Sequence, residues 1–424
     1  MRRFILAFGI GCPLLFAQSP SVITADQAVQ EAVARNLDLA AARYNISVAE
    51  ARQITAKLRP NPVMTISGDH LDLLGTGYNS INNAGPNEYS YRTDFILERG
   101  GKRAARMELA AAGRSVAELG FRDTLRKLIF DVESAFVDVQ LAKENLTLAQ
   151  DNLRSLNGIV SINTERVRTG DLSAVELNRS QVAAMQYETA VRQAELQLRQ
   201  AKNRLRILLG RPEPSEDFDV SGPIRRDEER LNLDDVRGRA QTQRPDLLEV
   251  RQMQARNQAD LRLQLAQGKI DYTAGVEYRR QQAPSGTGNS LGLFFSAPLP
   301  VFNRNQGEIA RAQHEVAQAA AQLRALEAQV SGEVTATWQQ YSTFRGLLEE
   351  IEQKMLGKAR DVRQTTEYSY RRGEASLVEF LDAQRAFNDV TQSYNEARAN
   401  YARSLYLLDA VTAKSVSEVS LSRP

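Results

Sequence analysis

The amino-acid sequence predicts a mostly α-helical chain of long coiled-coil helices, with four β-strands and an internal twofold repeat. Residues 168–177 read RTGDLSAVEL, and residues 371–380 read RRGEASLVEF, 203 positions later. Apolar residues spaced by three and four follow both motifs at the same shift. Four short segments between the helical runs alternate apolar and polar residues with the period of strands. A repeat near 200 residues is too long for a solenoid, so it indicates a duplicated half-domain.

Composition supports long helices and excludes several classes of function. The 424 residues contain 13 Pro, and Ala, Leu, Gln, Arg and Glu are abundant, which favours coiled coils. The net charge of +2 gives no reason to expect a nucleic-acid partner. The two histidines, His70 and His314, have no Cys or carboxylate cluster at metal-ligand spacing. Since phosphate-loop and nucleophile motifs are also missing, we expect no catalytic residues, cofactor or metal site.

The first 17 residues have the pattern of a secretory signal peptide. Arg2 and Arg3 form a basic start, an apolar core follows, and Ala17 offers a cleavage site. The mature chain would then contain no cysteine, which excludes disulfides. An alternative is acylation of Cys12, as in a lipoprotein, and the sequence leaves that lipidation open.

The first repeat is predicted over residues 18–209. Its elements, in chain order, are helices at 26–35 and 37–59, strands at about 62–73 and 88–98, a long helix at 101–168, a tip turn at 168–173 and a return helix at 173–209. Apolar residues of the long helix alternate three and four spacings over five heptads, which predicts a left-handed coiled coil. At 1.5 Å per residue this helix is roughly 100 Å long. Gly170 suits a left-handed helix stop, and Ser173 suits the next N-cap.

The second repeat, residues 244–413, has the same order of elements. They are a helix at 245–268, strands at about 271–282 and 290–301, a long helix at about 306–371, a tip turn at 371–376 and a return helix at 376–413. The apolar positions from Val330 to Met355 match the first long helix at a shift of 202. Residues 210–243, with a helix at 233–243, separate the repeats, and 414–424 form a C-terminal tail. Each return helix plus a half-length helix roughly equals one long helix, which predicts end-to-end stacking.

The predicted strands have the pattern of a membrane β-structure. One face of the second strand carries Tyr89, Tyr91, Thr93, Phe95 and Leu97, and tyrosines near strand ends are typical of an aromatic girdle. The connections at 74–87 and 283–289 are rich in Gly, Asn and Ser and suit hairpin tips. Four strands are too few to close a barrel, but three chains would give twelve, an even number in the known range. The alternative, two soluble hairpins capping a helical bundle, would leave strand edges open.

This organisation resembles the TolC-type outer membrane efflux proteins over essentially the whole mature chain. The most specific marks are the two tip motifs, each an Arg, a Gly two positions on, then Ser, then Val-Glu and an apolar residue. The strand-to-helix junctions FILERGGKR (95–103) and APLPVFNRNQG (297–307) also match. The second junction is similar to the heavy-metal branch that is associated with RND pumps.

The resemblance implies a homotrimer whose twelve strands form a β-barrel in outer-membrane lipid. A long α-helical barrel would extend from it across the periplasm. Residues 210–243 and the C-terminal tail would form an equatorial belt. At the tip, the family contacts a periplasmic adaptor protein that is tied to an inner-membrane pump, here one of the RND type. The implied function is a passive exit duct of a tripartite efflux or secretion system.

Candidate site residues lie at the two tip turns and at the start of the return helices. Those expected to contact the adaptor are Gly170, Asp171, Leu172, Ser173, Gly373, Glu374, Ala375 and Ser376. Those expected at the aperture are Glu379, Asp382, Glu176 and Tyr370. Threefold symmetry would turn each carboxylate into a ring, and rings of negative charge favour cations. In the family, positions matching Glu379 and Asp382 line the aperture, and a tyrosine matching Tyr370 helps to hold it closed. Ala375 stands where the best-known members have a latch arginine.

Simpler roles are available for the same residues. The carboxylates could lie on a solvated helix face, Tyr370 could be a packing residue, and the Gly and Ser residues could serve turn and cap chemistry alone. For the whole chain, the alternative is a structural coiled-coil protein of the periplasm or cell surface without a pore. An adaptor protein fits less well, because the two strand pairs are widely separated. The sequence names no exported substrate and does not set the aperture open or closed.

Overall fold

The computed structural model describes residues 21–71, 73–75, 87–211, 217–228, 230–283 and 286–418. The predicted signal peptide, residues 1–17 with Cys12, lies outside the described residues, as do most of the 74–87 connection and residues 419–424 of the tail. The helices are α1 Ala25–Arg35, α2 Leu37–Lys57, α3 Lys102–Thr169, α4 Ala174–Leu208, α5 Leu233–Gln243, α6 Pro245–Gln267, α7 Gln306–Glu350, α8 Leu356–Arg372, α9 Leu377–Val411 and α10 Lys414–Glu418. The strands are β1 Ser21–Ile23, β2 Val63–Asp69, β3 Glu88–Leu97, β4 Phe218–Val220, β5 Tyr272–Ala283 and β6 Gly286–Ser296.

The half-length helices stack end to end beside the long ones, as predicted. Asn36 forms one joint: its Oδ1 accepts from the N–H of Leu39 at the start of α2, and its Nδ2 donates to the carbonyl of Leu208 at the end of α4, 3.1 Å away. Arg126 forms the other joint from the middle of α3. It donates to the carbonyl of Ala410 near the end of α9 and lies 3.7 Å from Asp246 in the first turn of α6.

Four helical columns therefore lie side by side. The α2/α4 column and the α6/α9 column flank α3, and the α7–α8 column lies on the far side of α6 and α9. Each half has its own apolar core: one around Leu125 and Val132 of α3, and one around Val334 of α7 and Leu405 of α9. Among the described residues, the α2/α4 column and the α7–α8 column each pack against a neighbouring column on one side, so this part of the layer has two open edges.

The second long helix is not continuous, which corrects the prediction of one helix over 306–371. A π-helical turn, Ile351–Met355, joins α7 to α8, whereas α3 runs for 68 residues without a break. The repeat shift is 202 as far as Met355, the last residue of this turn, and 203 at the tip, so the second copy has one extra residue. A π-turn accommodates one residue more than an α-turn, and this explains the interruption.

The strands β2, β3, β5 and β6 form an antiparallel sheet in that order. β6 had been predicted at 290–301 but lies at Gly286–Ser296, because Pro298 and Pro300 have no N–H for a ladder. It pairs with β5 as far as Ala283↔Gly286, so the predicted 283–289 connection lies largely within the strands. β2, predicted to reach 73, ends at Asp69, and His70 follows with φ 55°, outside the strand region.

Residues 210–243 wrap the middle of the helical layer. A short parallel pair, β1 with β4, was not predicted. Hydrogen bonds that hold the segment after β4 include those from Gln140 to the carbonyl of Gly222, from Tyr401 to that of Asp227, and from Trp338 to that of Leu231. Within the described ranges, no helix is both long enough and apolar enough to cross a membrane.

Candidate functional site

The two tip turns are built in the same way. Gly170 and Gly373 end α3 and α8 in the left-handed conformation, with φ 87° and φ 83°, which glycine adopts without steric penalty. The next N–H in each turn, of Asp171 and of Glu374, donates back to a carbonyl of the last helical turn, over 2.8 and 2.9 Å. These bonds satisfy carbonyls that the helix end leaves unpaired. The chain therefore reverses within four residues in both copies.

The predicted docking residues lie at the outer surface of the tip. Six of the eight are exposed, and Leu172 and Ala375 are half-buried. Ser173 and Ser376 are N-caps: the Oγ of each accepts from the backbone N–H three residues later, that of Glu176 or Glu379. Turn and cap chemistry thus explains the Gly and Ser residues. Asp171 and Glu374 remain available at the surface for a partner.

Tyr370 lies in a small core beneath the turns. Its side chain is 3% exposed, and its ring stacks on Phe380 with centroids 5.6 Å apart. Its hydroxyl donates to Oδ1 of Asn163 on α3, at 2.8 Å. Burial raises the pKa of Tyr370, the bond to Asn163 opposes that rise, and the charge of Glu176 adds to it. The tyrosine therefore joins α8 and α9 to α3 within one chain.

The three predicted carboxylates have different surroundings. Glu379 completes a capping box, in which its Oε2 accepts from the N–H of Ser376 over 2.7 Å, and this bond lowers its pKa. Asp382, one turn further along α9, is 67% exposed and lies 3.6 Å from Arg385. Glu176 is half-buried on α4, near Tyr370. Among the described residues, Asp382 takes part in no cap, and Arg385 is the cation beside it.

Two residues that the sequence reading did not single out complete the tip. Asn163 is fully buried, and its Nδ2 has no hydrogen-bond partner among the described residues. Arg166 donates to the last carbonyls of α8, those of Tyr370 and Arg371, at 3.3 and 2.7 Å. Asn163 comes three residues after Val160, at a position where the three-and-four spacing of α3 predicts an apolar side chain. A polar residue at an apolar position of a coiled coil commonly sets helix register. This break in the apolar pattern is the sequence feature that could have identified Asn163.

More polar contacts join α3 to α9 above the tip. Asn152 bonds to both Gln384 and Asn388, at 2.8 and 2.7 Å, and Asn145 bonds to Asn395 at 3.1 Å. Ion pairs follow further along the same two helices, Glu144 with Arg398 and Asp138 with Arg403. Along this stretch of α3 and α9 the contact between the two halves of the chain is therefore polar, whereas the small core at the tip, which also joins the two halves, is apolar.

At the other end of the molecule, the sheet has one apolar and one polar face. The register places Ile66, Tyr91, Tyr278 and Leu291 in one row across all four strands, and Met64, Thr93, Val276 and Leu293 in another. The opposite face has rows of Thr65, Arg92, Glu277 and Gly292 and of Ser67, Ser90, Arg279 and Ser290. Ion pairs Arg92–Asp94 and Arg279–Glu277, both 2.9 Å, lie on the polar face. The apolar side chains remain exposed, for example Leu293 at 83%.

No group of His, Cys, Asp and Glu side chains in the described part of the chain is arranged to hold a metal ion.

A family model described as "Outer membrane efflux protein" matches residues 28–211 and 236–414. The chain belongs to the outer membrane efflux protein family. As a member of that family it is a component of the outer membrane that extends into the periplasm, and its fold is that of an efflux duct. The matched ranges include both tip turns and all four strands of the sheet.

Relatives and solved structures agree with this assignment. The chain is 23% identical over 416 residues to the nodulation protein T of Rhizobium leguminosarum bv. trifolii, covering 92% of this chain and 86% of that one. It is 23% identical over 388 residues to the cobalt-zinc-cadmium resistance protein CzcC of Cupriavidus metallidurans, covering 88% and 86%. The outer-membrane channel OprN has a TM-score of 0.76 at 17% identity, with 92% and 89% covered. The Campylobacter jejuni channel CmeC has a TM-score of 0.77 at 15% identity, with 93% and 88% covered. At these identities the solved structures establish the fold, and CzcC agrees with the heavy-metal branch that the 297–307 junction resembles.

Proposed function

We propose that three copies of this chain form a passive exit duct through the outer membrane and across the periplasm. The observation that carries the proposal is the sheet, whose exposed apolar face has the pattern of a lipid-facing surface and whose polar face suits a water-filled lumen. Within the described chain, β2 and β6 each pair on one side only. Pairing β6 of one copy with β2 of the next would close twelve strands and remove the open edges.

The helical layer supports the same assembly. Its α2/α4 edge exposes Leu37, Tyr44 and Met185, at 79%, 71% and 64%. Its α7–α8 edge exposes Val362 and Tyr368, at 54% and 56%. Apolar side chains at both open edges are expected where neighbouring copies pack. Three copies joined edge to edge would give an α-helical barrel of twelve columns in line with the strands.

The tip would dock to a periplasmic adaptor that connects the duct to an inner-membrane pump. Three copies would present six turns of similar construction, with Asp171 and Glu374 exposed for polar contacts. The proposed domain organisation is two duplicated repeats, 18–209 and 244–413, with an equatorial belt from 210–243 and the tail. Similarity to CzcC, a cobalt-zinc-cadmium resistance protein by name, favours an RND-type pump and metal cations as cargo. The alternative, a coiled-coil protein without a pore, gives no reason for an exposed apolar sheet face.

The test is planar-bilayer conductance of the purified protein, with light scattering to measure assembly mass against the 47.2 kDa chain. We expect trimers that conduct, with cation selectivity that falls in Asp382→Asn because a ring of three carboxylates is neutralised. Asp234→Asn, which removes an exposed carboxylate from α5 far from the tip, is the matched control and should conduct like the parent. Trimers that insert but never conduct, even with Asp382 and Glu379 neutralised, would refute the duct.

A further inference from the structure

Two aromatic rings and an arginine pack together on the apolar face of the sheet, at the end where the strands lead into the helices. Tyr272 packs against Phe295, with centroids 5.1 Å apart, and the guanidinium of Arg99 lies 4.5 Å from the Tyr272 ring centroid. Arg99 also donates to the Tyr272 hydroxyl. Since Tyr272 pairs with Leu97 on the apolar face, Arg99 lies on that side of the sheet, where the strands lead into the helices.

Two more cations adjoin Arg99 at this junction. A Cβ added to Gly100 would lie 2.7 Å from Cδ of Lys269, and one added to Gly268 would lie 2.9 Å from the carbonyl of Arg304. Arg99, Lys269 and Arg304 therefore belong to adjoining chain segments at the ends of α3, α6 and α7. All three are exposed, and none has a carboxylate partner among the described residues. The nearby Asp271 does not neutralise them, because its side chain accepts from Lys102 and from the backbone of Arg99.

An apolar segment continues this surface. Leu299, Val301 and Phe302 follow β6 and are 82%, 61% and 91% exposed. Arg304 fixes the segment by donating from Nε to the carbonyl of Pro300 at 3.0 Å. We define the junction collar as Arg99, Lys269 and Arg304 together with Leu299, Val301 and Phe302.

This combination fits one partner chemistry. Exposed aromatic and aliphatic side chains partition into the boundary of a bilayer, and unpaired Lys and Arg at that depth attract anionic headgroups. A free phosphate ion would contact the cations but would give no reason for the apolar segment. We propose that the junction collar binds acidic phospholipids of the membrane leaflet that faces the periplasm. The inference rests on the proposed function, because it takes the sheet to lie in the membrane.

The test uses one tryptophan as a local probe. Trp338 is the only tryptophan in the sequence, so Trp338→Phe with Phe302→Trp places a single one in the collar of the full-length protein. The variant is reconstituted in phosphatidylcholine bilayers in which brominated phosphatidylcholine or brominated phosphatidylglycerol replaces part of the lipid. Bromine quenches the tryptophan fluorescence on contact. We expect both lipids to quench, with phosphatidylglycerol binding about fivefold more strongly for one headgroup at one cation.

A charge-neutralised variant assigns the preference to the collar. Arg99→Gln, Lys269→Gln and Arg304→Gln together should bring the two lipids to equal quenching, and unchanged quenching by phosphatidylcholine shows that the protein is still folded and inserted. The matched control removes three exposed cations that have no ion pair among the described residues: Arg179→Gln, Arg199→Gln and Lys358→Gln. These lie on α4 and α8, away from the sheet, and the preference should persist.

Three results would overturn the inference, and they separate it from the proposed function. Equal quenching by the two lipids before any charge is removed overturns the acidic preference and leaves the duct intact. A tryptophan that neither lipid quenches, in trimers that conduct, shows that a neighbouring copy covers Phe302. A tryptophan that neither lipid quenches, in protein that does not conduct, overturns the membrane duct and the collar together.

Discussion

Substituting Tyr370 by Phe tests whether the tip is held closed by a single buried hydrogen bond. The substitution keeps the ring that stacks on Phe380 and removes only the hydroxyl that donates to Asn163. Asn163 is fully buried, so water cannot reach its Oδ1 without local opening. The Nδ2 of Asn163 already has no partner among the described residues. In the Tyr370→Phe variant, the side-chain amide of Asn163 would therefore have no hydrogen bond to any described residue.

The magnitude follows from that burial. Leaving a buried acceptor without its donor costs about 1–3 kcal/mol. Since 1.4 kcal/mol is a tenfold change in an equilibrium constant, local opening of the tip should become roughly 5- to 150-fold more frequent. The effect should be confined to the tip, because the cores around Val132 and Val334 do not contact this bond.

Amide hydrogen exchange of residues 160–170 and 366–376 measures the opening directly, and bilayer conductance measures its consequence. We expect faster exchange at the tip, unchanged exchange in α2 and α6, and a larger open fraction. Tyr368→Phe is the control: this tyrosine is on the same helix, 56% exposed, and its hydroxyl has no partner among the described residues. If Tyr370→Phe exchanges like the parent, or if Tyr368→Phe opens the tip equally, the hydrogen bond does not hold the tip.

Three further outcomes follow from the same geometry. Gly373→Ala should lower the thermal denaturation midpoint, because Ala in the left-handed region costs about 1–2 kcal/mol, whereas Gly357→Ala inside α8 should raise it, since its Cβ would meet no other atom. Burial raises the pKa of Tyr401 to about 12, so its contribution to stability is full below the usual pKa near 10 and is lost as the pH rises toward 12, which circular dichroism at graded pH can follow. Deleting Gln353 from the π-turn should leave a folded, continuous helix, whereas deleting Gln364 from α8 should rotate the tip by about 100° and unfold it in a protease assay.

The helices and the sheet could be predicted because each has a local signal. Apolar residues at spacings of three and four predict the helices, and Gly170 and Gly373 indicate where two of them end. Apolar and polar residues that alternate with a period of two predict the strands. The boundaries of β6 were wrong, because alternation from Leu291 to Leu299 continues past the last residue that can pair. The apolar–polar alternation indicates on which face of the sheet a side chain lies. The hydrogen bonding between strands ends before Pro298 and Pro300, because proline has no N–H to donate.

The contacts within the site depend on partners far apart in sequence. Tyr370 and Asn163 meet only because α3 and α8 approach at the tip, 207 positions apart along the chain. Glu379 was predicted as an aperture carboxylate, but a capping box also accounts for its type and position, since it is the third residue after Ser376. Asp382 has no such local role, and its placement at the aperture remains a prediction.

The difference between the two halves is the part of the site that sequence alone could have located more closely. The apolar positions of the long helices match at a shift of 202 as far as Met355, and the tip motifs match at 203, so the second copy has one extra residue before Arg371. A helix that keeps its apolar face on both sides of an added residue has to widen one turn, and the structure does so at Ile351–Met355. Glu352 in that turn binds Arg226 and Tyr394, so the widened turn is tied to the equatorial segment and to α9. The first half therefore has a continuous α-helix above its tip, whereas the second has a π-turn that contacts the equatorial segment.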